Sequence, residues 1–131
     1  MDGSSPLENL TILLIEDDES MRTLVERMLS RLKIKVVAKQ DGPAALQVLQ
    51  AATQPVDLII CDWNMPGMSG MDVFEQARAL RPELPFLMLT GRADLDSVVS
   101  AKKAGVAGYI VKPISLPELK TKLSFLARKS A

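Results

Sequence analysis

The chain has 131 residues, of which 47% are hydrophobic and 24% are charged, so it is long enough to bury a hydrophobic core and is not typical of a disordered protein. Its 16 basic residues balance its 16 acidic residues, which argues against a strongly basic nucleic-acid-binding protein. A single cysteine and the absence of histidine exclude an internal disulfide, cysteine-based zinc sites, histidine-ligated metals and catalysis by a histidine base.

Five short apolar runs predict β-strands along the chain. They are Thr11–Ile15, Lys35–Ala38, Val56–Cys61, Phe86–Leu89 and Gly108–Val111. The first, third and fourth runs are almost continuously apolar, which is typical of parallel strands that are covered on both faces.

Apolar residues at helical spacing follow each run and predict five amphipathic helices. These stripes cover Met21–Leu32, Ala45–Ala52, Val73–Leu80, Leu95–Ala101 and Leu116–Leu126, and they include Leu24, Leu80 and Val99. The alternation predicts an α/β protein with a doubly wound parallel sheet and helices on both of its faces. We expect one domain over residues 1–131, with a folded core of about 9–128 and frayed ends at residues 1–9 and at the last few residues.

Polar residues follow four of the five predicted strands, in the segments Glu16–Glu19, Asp62–Asn64, Thr90–Gly91 and Lys112–Pro113. Each segment alone has an ordinary explanation, as an acidic helix start, a cap or a turn. In an open α/β sheet, however, the carboxyl ends of the strands meet at one edge, and ligands bind there. The second strand leads directly into a predicted helix start. The four segments together therefore predict a functional site.

The carboxylates of Glu16, Asp17 and Asp62 are expected to lie within several ångströms of one another at this edge. Two carboxylates about 5 Å apart repel by roughly 3 kcal/mol at an effective dielectric constant of about 20. One lysine, Lys112, does not balance three such charges, so the pocket either stays partly protonated or binds a cation. A site built only from oxygen ligands favours Mg²⁺, with Mn²⁺ as a substitute.

A magnesium ion beside a carboxylate suggests phosphoryl transfer. Asp62 is the best nucleophile because it is expected to face both Lys112 and Thr90, and its product would be an aspartyl phosphate. The small residue Gly91 leaves room for the phosphoryl group, and Asn64 could offer its main-chain carbonyl to the metal.

Four segments carry a family resemblance: LLIEDDE at 13–19, IICDWNMPGMSG at 59–70, FLMLTGR at 86–92 and GYIVKP at 108–113. Together they resemble the receiver domain of bacterial two-component response regulators, over about residues 9–128. DWNMPGMSG, with Met21 and Arg22, is particularly similar to stand-alone chemotaxis response regulators.

The resemblance implies a flavodoxin-like (βα)5 fold with strand order 2-1-3-4-5 and a phosphoacceptor at Asp62. The ligands that it implies for Mg²⁺ are Glu16, Asp17, Asp62 and, through its main-chain carbonyl, Asn64. The other residues that it implies are Thr90 as the switch hydroxyl, Tyr109 as the switch aromatic, Lys112 as the lysine typical of receivers, and Pro113 after a cis peptide bond. Asp18 is interpreted as a helix-start residue or a residue behind the ligands.

The implied function is a phosphorylation-controlled signalling switch rather than an enzyme acting on other substrates. The chain has no histidine, so the phosphodonor is expected to be a histidine kinase or a phosphotransfer protein. Two features differ from the chemotaxis regulator, whose acidic pair is Asp-Asp and which has a glutamate where Arg92 stands. A role in flagellar-motor control is therefore not implied.

A basic set near the carboxyl end of the chain suggests a protein target with an acidic segment. The set consists of Lys102, Lys103, Lys112, Lys120, Lys122, Arg128 and Lys129. It lies around the fourth and fifth helices and the fifth strand, the usual output surface of receivers, although a solvated face is the simpler interpretation. No apolar run approaches 18 residues and no signal peptide is evident, so we expect a cytoplasmic protein without membrane insertion or direct nucleic-acid binding.

Three alternatives fit the sequence less well. A phosphatase of the haloacid dehalogenase type needs an acid two residues after its nucleophile, where this chain has Asn64, and carries its motif on an early strand. A flavodoxin-type cofactor protein needs a phosphate-binding loop after the first strand, where the acidic residues 16–19 would repel a phosphate. A receiver that is never phosphorylated usually lacks one of the site residues, and none is missing.

Overall fold

A parallel five-stranded sheet organises the computed structural model, which describes the backbone of residues 7–130 and side chains as far as residue 127. The strands are β1 (Thr11–Ile15), β2 (Lys35–Lys39), β3 (Leu58–Asp62), β4 (Phe86–Thr90) and β5 (Gly108–Val111). Their order is β2-β1-β3-β4-β5, and all four pairs are parallel. The flavodoxin-like α/β fold and the strand order 2-1-3-4-5 are confirmed.

Five helices alternate with the strands. They are α1 (Glu19–Arg31), α2 (Gly42–Ala51), α3 (Gly70–Leu80), α4 (Leu95–Lys103), which follows a 3-10 turn at Arg92–Asp94, and α5 (Leu116–Ser130). Side-chain caps set the starts of the first three helices: Asp18 and Asp41 accept from the backbone N–H groups three residues later, and Ser69 forms a reciprocal capping box.

Two strand ends differ from the sequence prediction in a way that matters for the site. Asp62 and Thr90 are the last residues of β3 and β4 rather than loop residues, because each is still paired to its neighbouring strand. β3 begins at Leu58 instead of Val56, since the side chain of Asp57 accepts the N–H of Thr11 just before the ladder starts.

The sheet separates two hydrophobic clusters. One is formed with α2, α3 and α4, and the other with α1 and α5. Three stripe residues expected in the core are exposed instead: Leu24, Val99 and Leu80 are 43%, 41% and 40% exposed. Leu24 precedes the fully buried Val25, and Val99 follows the fully buried Val98. Consecutive helical residues point about 100° apart, so the two members of each pair cannot both face the sheet.

The described part of the chain begins with a packed residue. Leu7 is fully buried in the cluster formed with α1 and α5, so the expectation of a frayed end over residues 1–9 is wrong at this position. Residues 1–6, and the side chains of residues 128–130 with residue 131, lie outside the described residues. Among the helices that the structure describes, none combines the length and apolarity needed to cross a membrane.

Candidate functional site

Three carboxylates lie together at the carboxyl edge of the sheet. Glu16 and Asp17 follow β1, and Asp62 ends the adjacent strand β3. The register pairs Ile15 with Cys61, so the residues that follow them, Glu16 and Asp62, lie at the same level. One carboxylate oxygen of each of the three residues lies within 4.8 Å of the others. The sequence analysis predicted that these same three residues lie close together, because they follow neighbouring predicted strands.

Lys112 joins the two buried carboxylates. Its Nζ donates to Oδ1 of Asp62 at 3.1 Å and to Oε1 of Glu16 at 3.2 Å. Burial lowers the pKa of Lys112, but the hydrogen bond and charge of Asp62, together with those of Glu16, outweigh burial and raise it. Lys112 therefore remains a cation, and it is shared between two carboxylates. The peptide bond from Lys112 to Pro113 is cis, as the resemblance implied.

The negative charge of an ionised Glu16 is only partly compensated within the site. Its side chain is fully buried, and burial, followed by the charge of Asp62, raises its pKa to about 7. The N–H of Asp18, which donates to Oε2 of Glu16 at 3.2 Å, and the charge of Lys112 only partly oppose this. A pocket of closely spaced oxygen ligands with excess negative charge fits a small divalent cation such as Mg²⁺.

Asp62 has one oxygen that Lys112 does not engage. Its side chain is 8% exposed, and Oδ2 accepts no hydrogen bond from any described residue. The neighbouring thiol of Cys61 is fully buried, and burial, followed by the charges of Asp62 and Glu16, raises its pKa well above the ordinary value. Since thiolates rather than thiols are nucleophiles, the buried Cys61 thiol is not activated at this strand end.

Thr90 and Tyr109 lie on the α4 side of the sheet. Thr90 is fully buried, and its hydroxyl donates to the carbonyl of Gly91 at 3.0 Å rather than to Asp62. Tyr109 pairs in register with Met88 and packs, half-buried, against the cluster formed with α2, α3 and α4. Side chains two residues apart on a strand share a face, so Thr90 and Met88 point to the same side as Tyr109.

Three other predicted residues have exposed side chains around this edge. Asn64 lies in the loop between β3 and α3, two residues after Asp62. Asp18 accepts the N–H of Met21 at 2.8 Å and caps α1, so its interpretation as a helix-start residue is confirmed. Arg92 begins the turn before α4.

Gly70 is a site residue that the sequence analysis missed. Its N–H donates to the carbonyl of Trp63 at 2.8 Å, which brings the start of α3 against the end of β3. A Cβ atom at Gly70 would lie 2.5 Å from the carbonyl oxygen of Asp62 and 2.8 Å from Cα of Trp63. Only glycine allows this close approach. A glycine directly after the capping residue Ser69 was the available signal.

Residues 12–124 match the family described as response regulator receiver domain. The chain belongs to that family. Chemotaxis protein CheY-3 of Vibrio cholerae is 39% identical over 119 residues, which cover 88% of this chain and 90% of that protein. Chemotaxis protein CheY of Pseudomonas aeruginosa is 38% identical over 117 residues, covering 87% of this chain and 93% of its relative.

A solved structure supports the same relationship. The response regulator receiver domain protein from Clostridium thermocellum superposes with a TM-score of 0.81 at 26% identity, covering 92% of this chain and 93% of that one. This chain is thus a receiver domain of a response regulator in two-component signalling. Receiver domains are signalling switches that bind Mg²⁺ in an acidic pocket, and Glu16, Asp17 and Asp62 form such a pocket here.

Proposed function

We propose that this receiver domain is a phosphorylation-controlled switch. In this proposal Asp62 accepts a phosphoryl group from a histidine kinase or phosphotransfer protein, and the phosphorylated domain regulates a partner protein. The observation that carries the proposal is the double hydrogen bond of Lys112 to Asp62 and Glu16 within the three-carboxylate cluster. We also propose that residues 1–131 form one receiver domain and that it acts in the cytoplasm.

The chemical step is attack by Asp62 on phosphorus. Oδ2, the oxygen that Lys112 leaves free, forms the new P–O bond, while the P–N bond of phosphohistidine or the P–O bond of an acyl phosphate breaks. The electron pair of the broken bond leaves with the donor. Lys112 is already charged and only 3.1 Å from Oδ1, so it can pair with an oxygen of the incoming phosphoryl group without a large rearrangement. The domain catalyses only its own phosphorylation and dephosphorylation.

The proposed metal ligands are Glu16, Asp17, Asp62 and the main-chain carbonyl of Asn64. Mg²⁺ in this position would neutralise charge on the phosphoryl oxygens, and Mn²⁺ could replace it. The raised pKa of Glu16 supports this assignment, because the ionised cluster lacks a compensating charge.

Thr90 and Tyr109 are proposed to convert phosphorylation into a change of surface. The hydroxyl of Thr90 makes only a local hydrogen bond, to the next carbonyl, so a phosphoryl oxygen on Asp62 can compete for it. If Thr90 turns toward Asp62, it leaves space beneath α4. Tyr109 is half-buried on the same side and is the bulky side chain available to fill that space. The result is a shift between two packings.

The proposed output surface comprises α4, β5 and α5. Its exposed side chains include Lys102, Lys103 and Lys120, with Val99 at 41% and Phe125 at 58% exposure. Cations around apolar side chains fit a protein target whose binding segment is acidic and partly apolar. Two members of the predicted basic set, Arg128 and Lys129, lie outside the residues whose side chains the structure describes.

Incubation with acetyl phosphate and Mg²⁺ tests the proposal. The protein should gain one acid-stable, base-labile phosphoryl group, measured by intact mass, and Asp62→Asn should gain none. Asp96→Asn is the matched control, since Asp96 is exposed in the first turn of α4 and is not in the three-carboxylate cluster, and it should leave labelling unchanged. Phosphate on a serine or threonine, or labelling of Asp62→Asn, would contradict the assignment.

A further inference from the structure

Arg22 holds both ends of the loop that carries two of the proposed metal ligands. Its guanidinium Nη1 donates to the main-chain carbonyl of Glu16 at 2.9 Å. Its backbone N–H donates to the carbonyl of Asp18, also at 2.9 Å. The side chain of Arg22 thus holds one end of the segment 16–18, and the first backbone hydrogen bond of α1 holds the other.

The first of these bonds sets the direction of Asp17. The carbonyl of Glu16 lies in the same rigid peptide plane as the N–H and Cα of Asp17, so fixing the oxygen orients the plane. Glu16 has further restraints, because its N–H donates to the carbonyl of Lys39 at 3.1 Å and its carboxylate accepts from Lys112. Asp17 is exposed, and the orientation of its side chain therefore depends more strongly on this plane.

Arg22 is itself held in place without being part of the core. Its backbone belongs to the first turn of α1, which Asp18 caps. Its half-buried side chain lines an open surface cleft with Ala38 and Lys39. Shortening this side chain therefore enlarges a cleft and leaves no closed cavity, so the fold should tolerate the change.

From these contacts we propose that Arg22 is a positioning residue for the metal site. It orients the Glu16–Asp17 peptide so that both carboxylates face one cation, and it acts through that peptide without touching the ion. This inference depends on the proposed function, since it takes the bound cation to be Mg²⁺. Mutation of a residue that orients a metal ligand commonly lowers metal affinity 10- to 100-fold.

Electrostatics alone predicts the opposite effect, which makes the test decisive. Removing a positive charge near three carboxylates should strengthen cation binding, whereas losing the orienting hydrogen bond should weaken it. We therefore compare Arg22→Met with Arg27→Met, a control that removes the same charge from an exposed position of α1. Arg22→Lys keeps the charge and changes only the geometry of the donor.

Mg²⁺ titration followed by Trp63 fluorescence measures the dissociation constant of each variant. We expect it to rise about tenfold for Arg22→Met and by a smaller factor for Arg22→Lys, and to stay the same or fall for Arg27→Met. Without metal, amide hydrogen exchange at Asp17 and Asp18 should become faster in Arg22→Met, while its unfolding midpoint stays close to that of Arg27→Met.

Unchanged or tighter Mg²⁺ binding by Arg22→Met overturns the inference, and so does unchanged amide exchange in the same variant. If Arg22→Met is too unstable to compare, Arg22→Lys decides, and wild-type affinity in that variant overturns the inference. A wild-type protein that shows no response to several millimolar Mg²⁺ overturns the metal site itself, and with it the proposed function.

Discussion

Glu16 is fully buried beside Asp62, and its ionisation opposes folding when no cation is bound. Its pKa is raised from 4.5 to about 7, so the folded protein binds a proton more tightly than the unfolded chain. The contribution of Glu16 to the free energy of unfolding is therefore fully present below about pH 4.5 and is lost as the pH rises through 7.

The first prediction concerns this pH window. In the presence of a chelator, the free energy of unfolding of the wild type should fall between pH 5 and pH 7.5 relative to Glu16→Gln, by on the order of 3 kcal/mol. Urea denaturation at a series of pH values measures both proteins, and added Mg²⁺ should reduce the difference. Parallel pH profiles for the two proteins would show that ionisation of Glu16 does not lower the free energy of unfolding.

The second prediction concerns the exposed acidic residues. Asp17→Asn should weaken Mg²⁺ binding, because it removes a proposed ligand charge, and Trp63 fluorescence reports the change through its position next to Asp62. Asp18→Asn is the matched control: it also removes one negative charge, but asparagine is an equally good helix cap, and Asp18 is not in the cluster. Equal effects of the two substitutions would mean that only net charge matters.

At the scale of elements, the close contact between the end of β3 and the start of α3 requires that residue 70 has no side chain. The third prediction is that Gly70→Ala destabilises the protein by about 1–3 kcal/mol, because its Cβ would meet the main chain of Asp62 and Trp63. Gly91→Ala is the control, since a Cβ there meets nothing within 4 Å and the backbone φ is −79°. Urea denaturation of both variants measures the difference, and equal stabilities would contradict it.

The fourth prediction separates phosphorylation from its structural response. Thr90→Ala should still be phosphorylated at Asp62, because the nucleophile and Lys112 remain, but it should not transmit the change to α4. Coupling of this kind is typically worth 1–3 kcal/mol. The measurement is NMR with beryllofluoride as a stable phosphoryl mimic, following residues 95–110.

Thr90→Ser is the control for that measurement, since it keeps the hydroxyl and should respond like the wild type. If Thr90→Ala shows the wild-type shifts across residues 95–110, then Thr90 is not coupled to Tyr109, even if Asp62 is the phosphoacceptor.

On the scale of the whole molecule, stability comes from two apolar clusters that cover the two faces of the sheet. The fifth prediction is that Leu14→Ala, in β1 near the centre of the sheet, costs about 2–5 kcal/mol of unfolding free energy. Leu24→Ala removes the same atoms from a side chain that is 43% exposed and should cost about 1 kcal/mol or less. Urea denaturation compares them, and similar costs would contradict this account of the core.

The sequence determined the alternation of strands and helices because parallel strands covered on both faces must be apolar along their length. It also determined which polar residues meet, since the carboxyl ends of parallel strands share one edge. Glu16, Asp62, Thr90 and Lys112 could therefore be chosen before any coordinates were known. Helix starts were similarly predictable where a capping residue such as Asp41 precedes the apolar stripe.

Other features depended on distances between segments that are remote in the chain. The tertiary structure decided that Lys112 pairs with both Asp62 and Glu16, which sets the charge balance of the pocket. It decided that the hydroxyl of Thr90 donates to the carbonyl of the next residue, Gly91. It also revealed the contacts of Gly70 and Arg22, because a steric limit and a guanidinium–carbonyl hydrogen bond become visible only when the partners are in place.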